Sequence, residues 1–265
     1  MPFRKYLPIS RIGFMTMITY RWECMFAAVS SLFTVFFAYY LWRAVYRAST
    51  TLSTQGFEVT FAYVAISVVL LVTFNTSAET NISRSIISGD VIRDIVRPLG
   101  FHDSQIAAAI GTMGLRFLLV FIPCMTVILL LLPHGMIGAR NVWLFAASLS
   151  GSFIILLHID MLTGLVAIKT EAVWGVRLAK EYIVSVFSGA LIPLYLLPSS
   201  LSKVMLLLPF QGICHTPVTL LTSRSMSGME MCRLLGMQLF WCVVLMLVVN
   251  RALKRLITKI EINGG

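Results

Sequence analysis

VTFAYVAISVVLLVTFNTSA, residues Val59–Ala78, holds no charged side chain, no glycine and no proline. Its Val, Ile, Thr and aromatic residues would read as a strand in water, where such side chains suit a pleated, half-buried surface. Lipid changes the reading, because without water the backbone N–H and C=O groups of an isolated segment must pair with one another, which a helix achieves. About 20 residues at a rise of ~1.5 Å match a hydrocarbon layer of ~30 Å. The stretch is therefore a transmembrane helix, and the rest of the chain decides how many accompany it.

The chain has 265 residues, of which 58% are hydrophobic and 12% charged, and its mean hydropathy is +0.88. Soluble domains carry roughly one-quarter charged residues and under one-half apolar ones, so the length is better counted in membrane spans. Moving outward from Val59–Ala78, the run from Cys24 to Trp42 is uncharged and closed by Arg43 and Arg47. Tyr39, Tyr40, Trp42 and Tyr46 stand where an interfacial aromatic belt belongs. A third run, Ser104 to Leu132, is interrupted only by Arg116 and ends at the turn Pro133-His134-Gly135. A fourth extends from Asn141 to Leu162, a fifth from Tyr182 to Leu197, with Pro193 inside and Pro198 after it, and a sixth from Leu234 to Asn250. Between the last two, Val204 to Ser223 is apolar but broken by Pro209, Gly212 and Pro217.

Charge placement sets the topology. The net charge of +10 is spread between apolar runs rather than along one stripe, and no nucleic-acid-binding motif accompanies it. With six spans and both termini cytoplasmic, fourteen basic residues fall inside, from Arg4 and Lys5 to Lys259, and six outside: Arg43, Arg47, Arg140, Lys203, Arg224 and Arg233. That bias obeys the positive-inside rule. A seventh span would put the basic C-terminal tail outside, so Val204–Ser223 is expected as a re-entrant hairpin. The expectation is an all-α, multi-pass protein of the plasma (inner) membrane, forming one transmembrane domain over 1–265. It comprises a cytoplasmic lead (1–23), a cytoplasmic loop (79–104) and an outward re-entrant segment (198–233). The first apolar run is too long and too late for a cleaved signal peptide. Cys24, Cys124, Cys214, Cys232 and Cys242 show no CxxC pair and read as reduced packing residues.

The most informative polar segment lies between the second and third spans. Gly89 and Pro98 bound a short amphipathic stretch in which Val91, Ile92, Ile95 and Val96, followed by Leu99, make one apolar face. Asp90 and Asp94 offset Arg93 and Arg97 on the other, whereas helices that lie on membranes usually carry a basic polar face. The pattern suits docking on a protein. No phosphate-binding Gly-x-x-x-x-Gly-Lys-Ser/Thr loop occurs, so ATP phosphates have no recognisable cradle in this chain.

These features resemble the exporter-type, or type-two, permeases of ABC transporters. The resemblance rests on Gly89-Asp90-Val91-Ile92 through Arg97-Pro98, Thr163-Gly164-Leu165 with Trp174-Gly175, and Ser188 to Leu194. It continues through Leu208-Pro209-Phe210-Gln211-Gly212, Thr216-Pro217, Gln238, Trp241 and Gly264-Gly265. It implies six transmembrane helices, an N-terminal amphipathic connecting helix (here Arg11 to Trp22), a cytoplasmic coupling helix that docks on the ATPase, and a re-entrant hairpin before the last span. The docking residues are then Asp90, Val91, Ile92, Arg93, Asp94, Ile95, Val96 and Arg97. The implied partners are an ABC ATPase dimer that carries ATP and Mg, with no cofactor in this chain, and a second permease copy or a paralogous permease. His215 departs from the aromatic expected before Thr216-Pro217, and no role is assigned to it.

Arg116 and Asp160 are the remaining polar candidates, since a charge within an apolar run is costly and usually faces a partner or a cavity. Counted along the sequence, Arg116 falls near mid-depth and Asp160 near the cytoplasmic end; Asp160 is still its nearest candidate partner, and a structural role is favoured over substrate contact. Phe33, Phe36 and Phe37 could line an apolar pathway, but lipid-facing or packing roles weigh more. Two rival functions stand behind the permease. An ion-coupled secondary transporter would show inverted repeats and midplane charges, of which only Arg116 qualifies. An intramembrane enzyme needs convergent catalytic groups, yet His102, His134, His158 and His215 are scattered and no HExxH or Gly-x-Ser-x-Gly occurs.

Overall fold

The computed structural model describes residues 3–48, 56–76, 78–89, 100–133, 137–166, 170, 173–223 and 226–263, and all regular structure among them is helical. Helix α1 (Phe3–Thr19) leads into α2 (Arg21–Ala48). Helix α3 (Phe57–Phe74) is followed closely by α4 (Ala78–Ile87). Helix α5 (Phe101–Arg116) passes through a π turn, Phe117–Phe121, into α6 (Ile122–Leu131). Pro123 accounts for that widening: it offers no N–H to the carbonyl four residues back, and its ring crowds that carbonyl. Then come α7 (Ala139–Leu165), α8 (Val173–Phe187), the short α9 (Ser199–Leu207) and α10 (His215–Thr222), and the long α11 (Gly228–Asn263).

Five stretches, Arg21–Ala48, Phe57–Ile87, Phe101–Leu131, Arg140–Leu165 and Gly228–Arg255, are long and apolar enough to cross a membrane. They coincide with the expected first, second, third, fourth and sixth spans. The expected fifth, Tyr182–Leu197, is not one helix. Helix α8 starts earlier, at Val173, and ends at Phe187, where Gly189 takes φ 81, a conformation that side-chain-bearing residues avoid. Pro193 then precedes a single 3-10 turn, Leu194–Leu196. Val204–Ser223 is broken as well: α9 stops at Leu207, Pro209–Gly212 forms a 3-10 turn, and α10 has 8 residues. Eight residues rise only ~12 Å, well short of a crossing.

Helix α3 is the centre of the molecule. From Thr60 to Phe74 most of its side chains are buried, with α2, α5, α6, α7 and α10 packed around it. A helix enclosed on all sides has no reason to be amphipathic, which explains its apolar character all round. On α2, Phe33, Phe36 and Phe37 are exposed and face away from the core.

Helix α1 runs beside α5 in the same direction: Tyr6 donates to Asp103 Oδ2 at 3.0 Å, Gly13 abuts Ala108, and Phe14 abuts Gly114. The two backbones nearly touch. A Cβ on Gly13 would sit 2.5 Å from the Ala108 carbonyl oxygen, and one on Gly111 would overlap the Ser10 carbonyl. Over the stretch expected as a connecting helix, Arg11–Trp22, the helix begins earlier, at Phe3, and breaks after Thr19.

The broken segment before α11 is held by side chains that satisfy its backbone. Gln238 Nε2 donates to the Gly212 carbonyl at 2.8 Å and to the Ser148 carbonyl at 2.9 Å, while Ser148 Oγ donates to Gln238 Oε1 at 2.8 Å. Trp241 Nε1 donates to the Leu207 carbonyl at 3.0 Å, and Asn141 Nδ2 to the Ser223 carbonyl at 2.8 Å. Irregular backbone is tolerated at membrane depth only when it is supported in this way.

Candidate functional site

Ring contacts between Tyr39 and Phe57, and a 2.7 Å hydrogen bond between Tyr46 and Thr60, place the end of α2 beside the start of α3. That end of the bundle is the distal face; α1, α4 and the start of α8 belong to the proximal face. Arg116 Nη1 donates to the Val72 carbonyl at 3.2 Å, and Nη2 pairs with Glu23 Oε1 at 2.9 Å. Val72 lies fifteen residues along α3 from Phe57, hence ~22 Å from the distal end. The side chain caps a carbonyl in the last turn of α3, where a cation also meets the negative end of the helix dipole.

Asp160 lies close to the same level but has other partners. Thr76, four residues beyond Val72, donates its hydroxyl to Asp160 Oδ2 at 2.7 Å, and Lys180 Nζ donates to Oδ1 at 2.8 Å. The expectation that Asp160 is the nearest partner of Arg116 is thus corrected. The two belong to one charged layer toward the proximal face, about one helical turn apart, and do not pair with each other.

Asp160 belongs to a cluster that joins three helices. Glu79 on α4, 1% exposed, lies 2.7 Å from Lys180 Nζ and 3.0 Å from Arg177 Nε, both on α8. Arg177 also pairs with Glu181 at 3.0 Å. Burial by itself would lower the Lys180 pKa, but the charges of Asp160 and Glu79 and their hydrogen bonds outweigh it and hold it above the ordinary lysine value. Arg177 is likewise raised, chiefly by its hydrogen bond to Glu181. Gly164 on α7 lets the Glu79 backbone approach, since a Cβ there would lie 2.9 Å from the Glu79 carbonyl oxygen.

Helix α4, which carries Glu79, precedes in sequence the stretch expected to dock. Gly89, with φ 76, marks its end. The residues expected to dock, Asp90, Val91, Ile92, Arg93, Asp94, Ile95, Val96 and Arg97, lie outside the described residues.

Two histidine contacts were not legible in the sequence. His102 and His158 approach to 3.2 Å through their Nε2 atoms, His158 Nδ1 donating to the Ile154 carbonyl at 2.7 Å. His215, to which no role had been assigned, meets the Tyr63 hydroxyl at 3.0 Å through Nδ1. Among the described residues, no group of three or more His, Cys, Asp or Glu side chains is placed to hold a metal ion.

The fold and its charged layer define a multi-pass helical membrane protein. Residues 15–264 match the family described as ABC-2 family transporter protein. The chain belongs to this family, the membrane component of ABC transporters, whose permease domain lacks an ATPase domain and works with an ATPase partner. Among curated proteins, none matches the sequence.

Proposed function

We propose that the chain is the membrane-spanning permease subunit of an ABC exporter, driven by alternating access through a separate ATPase that binds ATP and Mg. The observation that carries this reading is the Glu79–Lys180–Asp160 cluster. It fastens α4, the helix that leads into residues 90–97, to α7 and α8. A displacement of the docking stretch by the closing ATPase would then move three helices together and bias inward- against outward-facing forms.

In this reading there are six spans, with Tyr182–Leu197 supplying the fifth, and the segment from Pro198 to Arg233 forms an outward re-entrant hairpin. Both termini are cytoplasmic, in agreement with the positive-inside count. Residues 90–97 are the coupling helix. A second permease, identical or paralogous, completes the pathway. Affinity purification of the tagged chain from native membranes tests the proposal: an ABC ATPase should copurify, and the complex, unlike the chain alone, should hydrolyse ATP. A chain that reproducibly purifies with no ATPase, yet moves substrate down an ion gradient in liposomes, would support the ion-coupled alternative.

A further inference from the structure

The proximal face holds a cavity of about 990 Å³ between α1, α4 and α5, with Arg177 of α8 at its edge. That is the upper end of the range for small-molecule sites. Its lining is two-sided. Helix α1 contributes Ile9 and Ile12, whereas Arg84, Arg116 and Arg177 bring guanidinium groups; among the described lining residues the one carboxylate is Glu23, paired with Arg116, and Arg177 is paired with Glu79 and Glu181. Arg116 is nine-tenths buried in the charged layer, ~22 Å from the distal end, while Arg84 lies twelve residues beyond Val72 along Phe57–Ile87, past the reach of a ~30 Å hydrocarbon core. The cavity therefore opens at the depth of lipid headgroups.

We propose that this cavity binds the phosphate headgroup of an anionic phospholipid of the proximal leaflet, Arg84 and Arg116 holding the phosphate and the Ile9–Ile12 face meeting the first methylenes. Guanidinium groups match phosphate oxygens through paired N–H donors, and basic pockets between helices at headgroup level are suited to such lipids. An inorganic anion would leave both the volume and the apolar wall unused. A zwitterionic headgroup would bring its cation toward Arg84 and Arg116, where the carboxylates Glu23, Glu79 and Glu181 are already paired with cations. The site does not depend on the coupling role proposed for residues 90–97, so either can fail without the other.

The test is native mass spectrometry of the purified full-length chain, titrated with dioleoyl phosphatidic acid, dioleoyl phosphatidylcholine or inorganic phosphate. The phosphatidic acid adduct should persist at collision energies that strip phosphatidylcholine, and millimolar inorganic phosphate should not displace it. Arg84→Gln, at an exposed position outside the ion cluster, should weaken phosphatidic acid binding roughly tenfold through the loss of one charge-assisted contact. Glu23→Gln should strengthen it, because Arg116 is then released from its counter-charge. Equal retention of the two lipids would overturn the proposal, as would Arg84→Gln binding like wild type at unchanged thermal stability. Displacement of the lipid by inorganic phosphate would replace it with a free-anion site.

Discussion

Lys180 Nζ lies 2.8 Å from Asp160 Oδ1, and through this contact α8 is tied to α7. The same ammonium reaches Glu79 Oε2 at 2.7 Å, so one cation serves two carboxylates that are almost wholly buried. Lys180→Met would leave both without it, and breaking a buried ion pair from one side costs ~3–5 kcal/mol. Thermal unfolding in detergent should show a large drop, mostly recovered in the triple variant Lys180→Met, Glu79→Gln, Asp160→Asn, which leaves no unpaired buried charge. A Lys180→Met protein as stable as wild type would mean that the cluster does not hold these helices.

The same residue sets an alkaline limit. Its folded-state pKa is raised above the ordinary value, which is ~10.4. Its contribution is complete below that pH and disappears as the pH climbs through the folded value. Wild type should lose stability above pH ~10.5 by a step that Lys180→Met lacks, with no change from this source between pH ~6 and ~9. Unfolding temperatures measured for both proteins across that range decide the point.

Glycines should respond according to their neighbours. Gly111→Ala would push a methyl into the Ser10 carbonyl and separate α1 from α5, whereas Gly175 in α8 has open space around its Cβ direction. Overpacking costs ~1–3 kcal/mol, while Gly→Ala in an open helix interior gains ~0.5–1 kcal/mol. Gly111→Ala should therefore unfold at a lower temperature than wild type and Gly175→Ala at a slightly higher one. Equal shifts would contradict the close contact of α1 with α5.

Much of the architecture was legible because lipid leaves the backbone few choices. Val59–Phe74 had to be helical whatever its strand-like composition, and Pro209 and Gly212 had to break the stretch before α11, Pro217 falling in the first turn of α10. Lateral packing was not legible. An apolar side chain reads the same whether it meets lipid or protein, so the enclosure of α3 was hidden, and so was the use of Gly111 as a contact with α1. Partners distant in sequence were hidden for the same reason. Glu23 meets Arg116, and His102 meets His158, only because α5 packs beside the start of α2 and near α7.

The orientation of the termini follows from charge placement. Thr258→Cys, in the basic end of α11, should resist a membrane-impermeant thiol reagent in intact cells and react once the membrane is opened. This requires a background in which exposed Cys232 has been replaced. Labelling from outside intact cells would reverse the topology and place α1 and α4 away from the ATP-bearing compartment.

The central claim is that residues 90–97 pass the work of a separate ATPase to this chain through α4. Its most direct test compares substrate-stimulated ATP hydrolysis by the assembled complex with that of the Ile95→Asp complex at equal expression. An aspartate on the apolar face would carry an unpaired charge into the partner's cleft, so stimulation should be abolished. Unchanged stimulation, with the ATPase still bound, would show that this segment is not the coupling element.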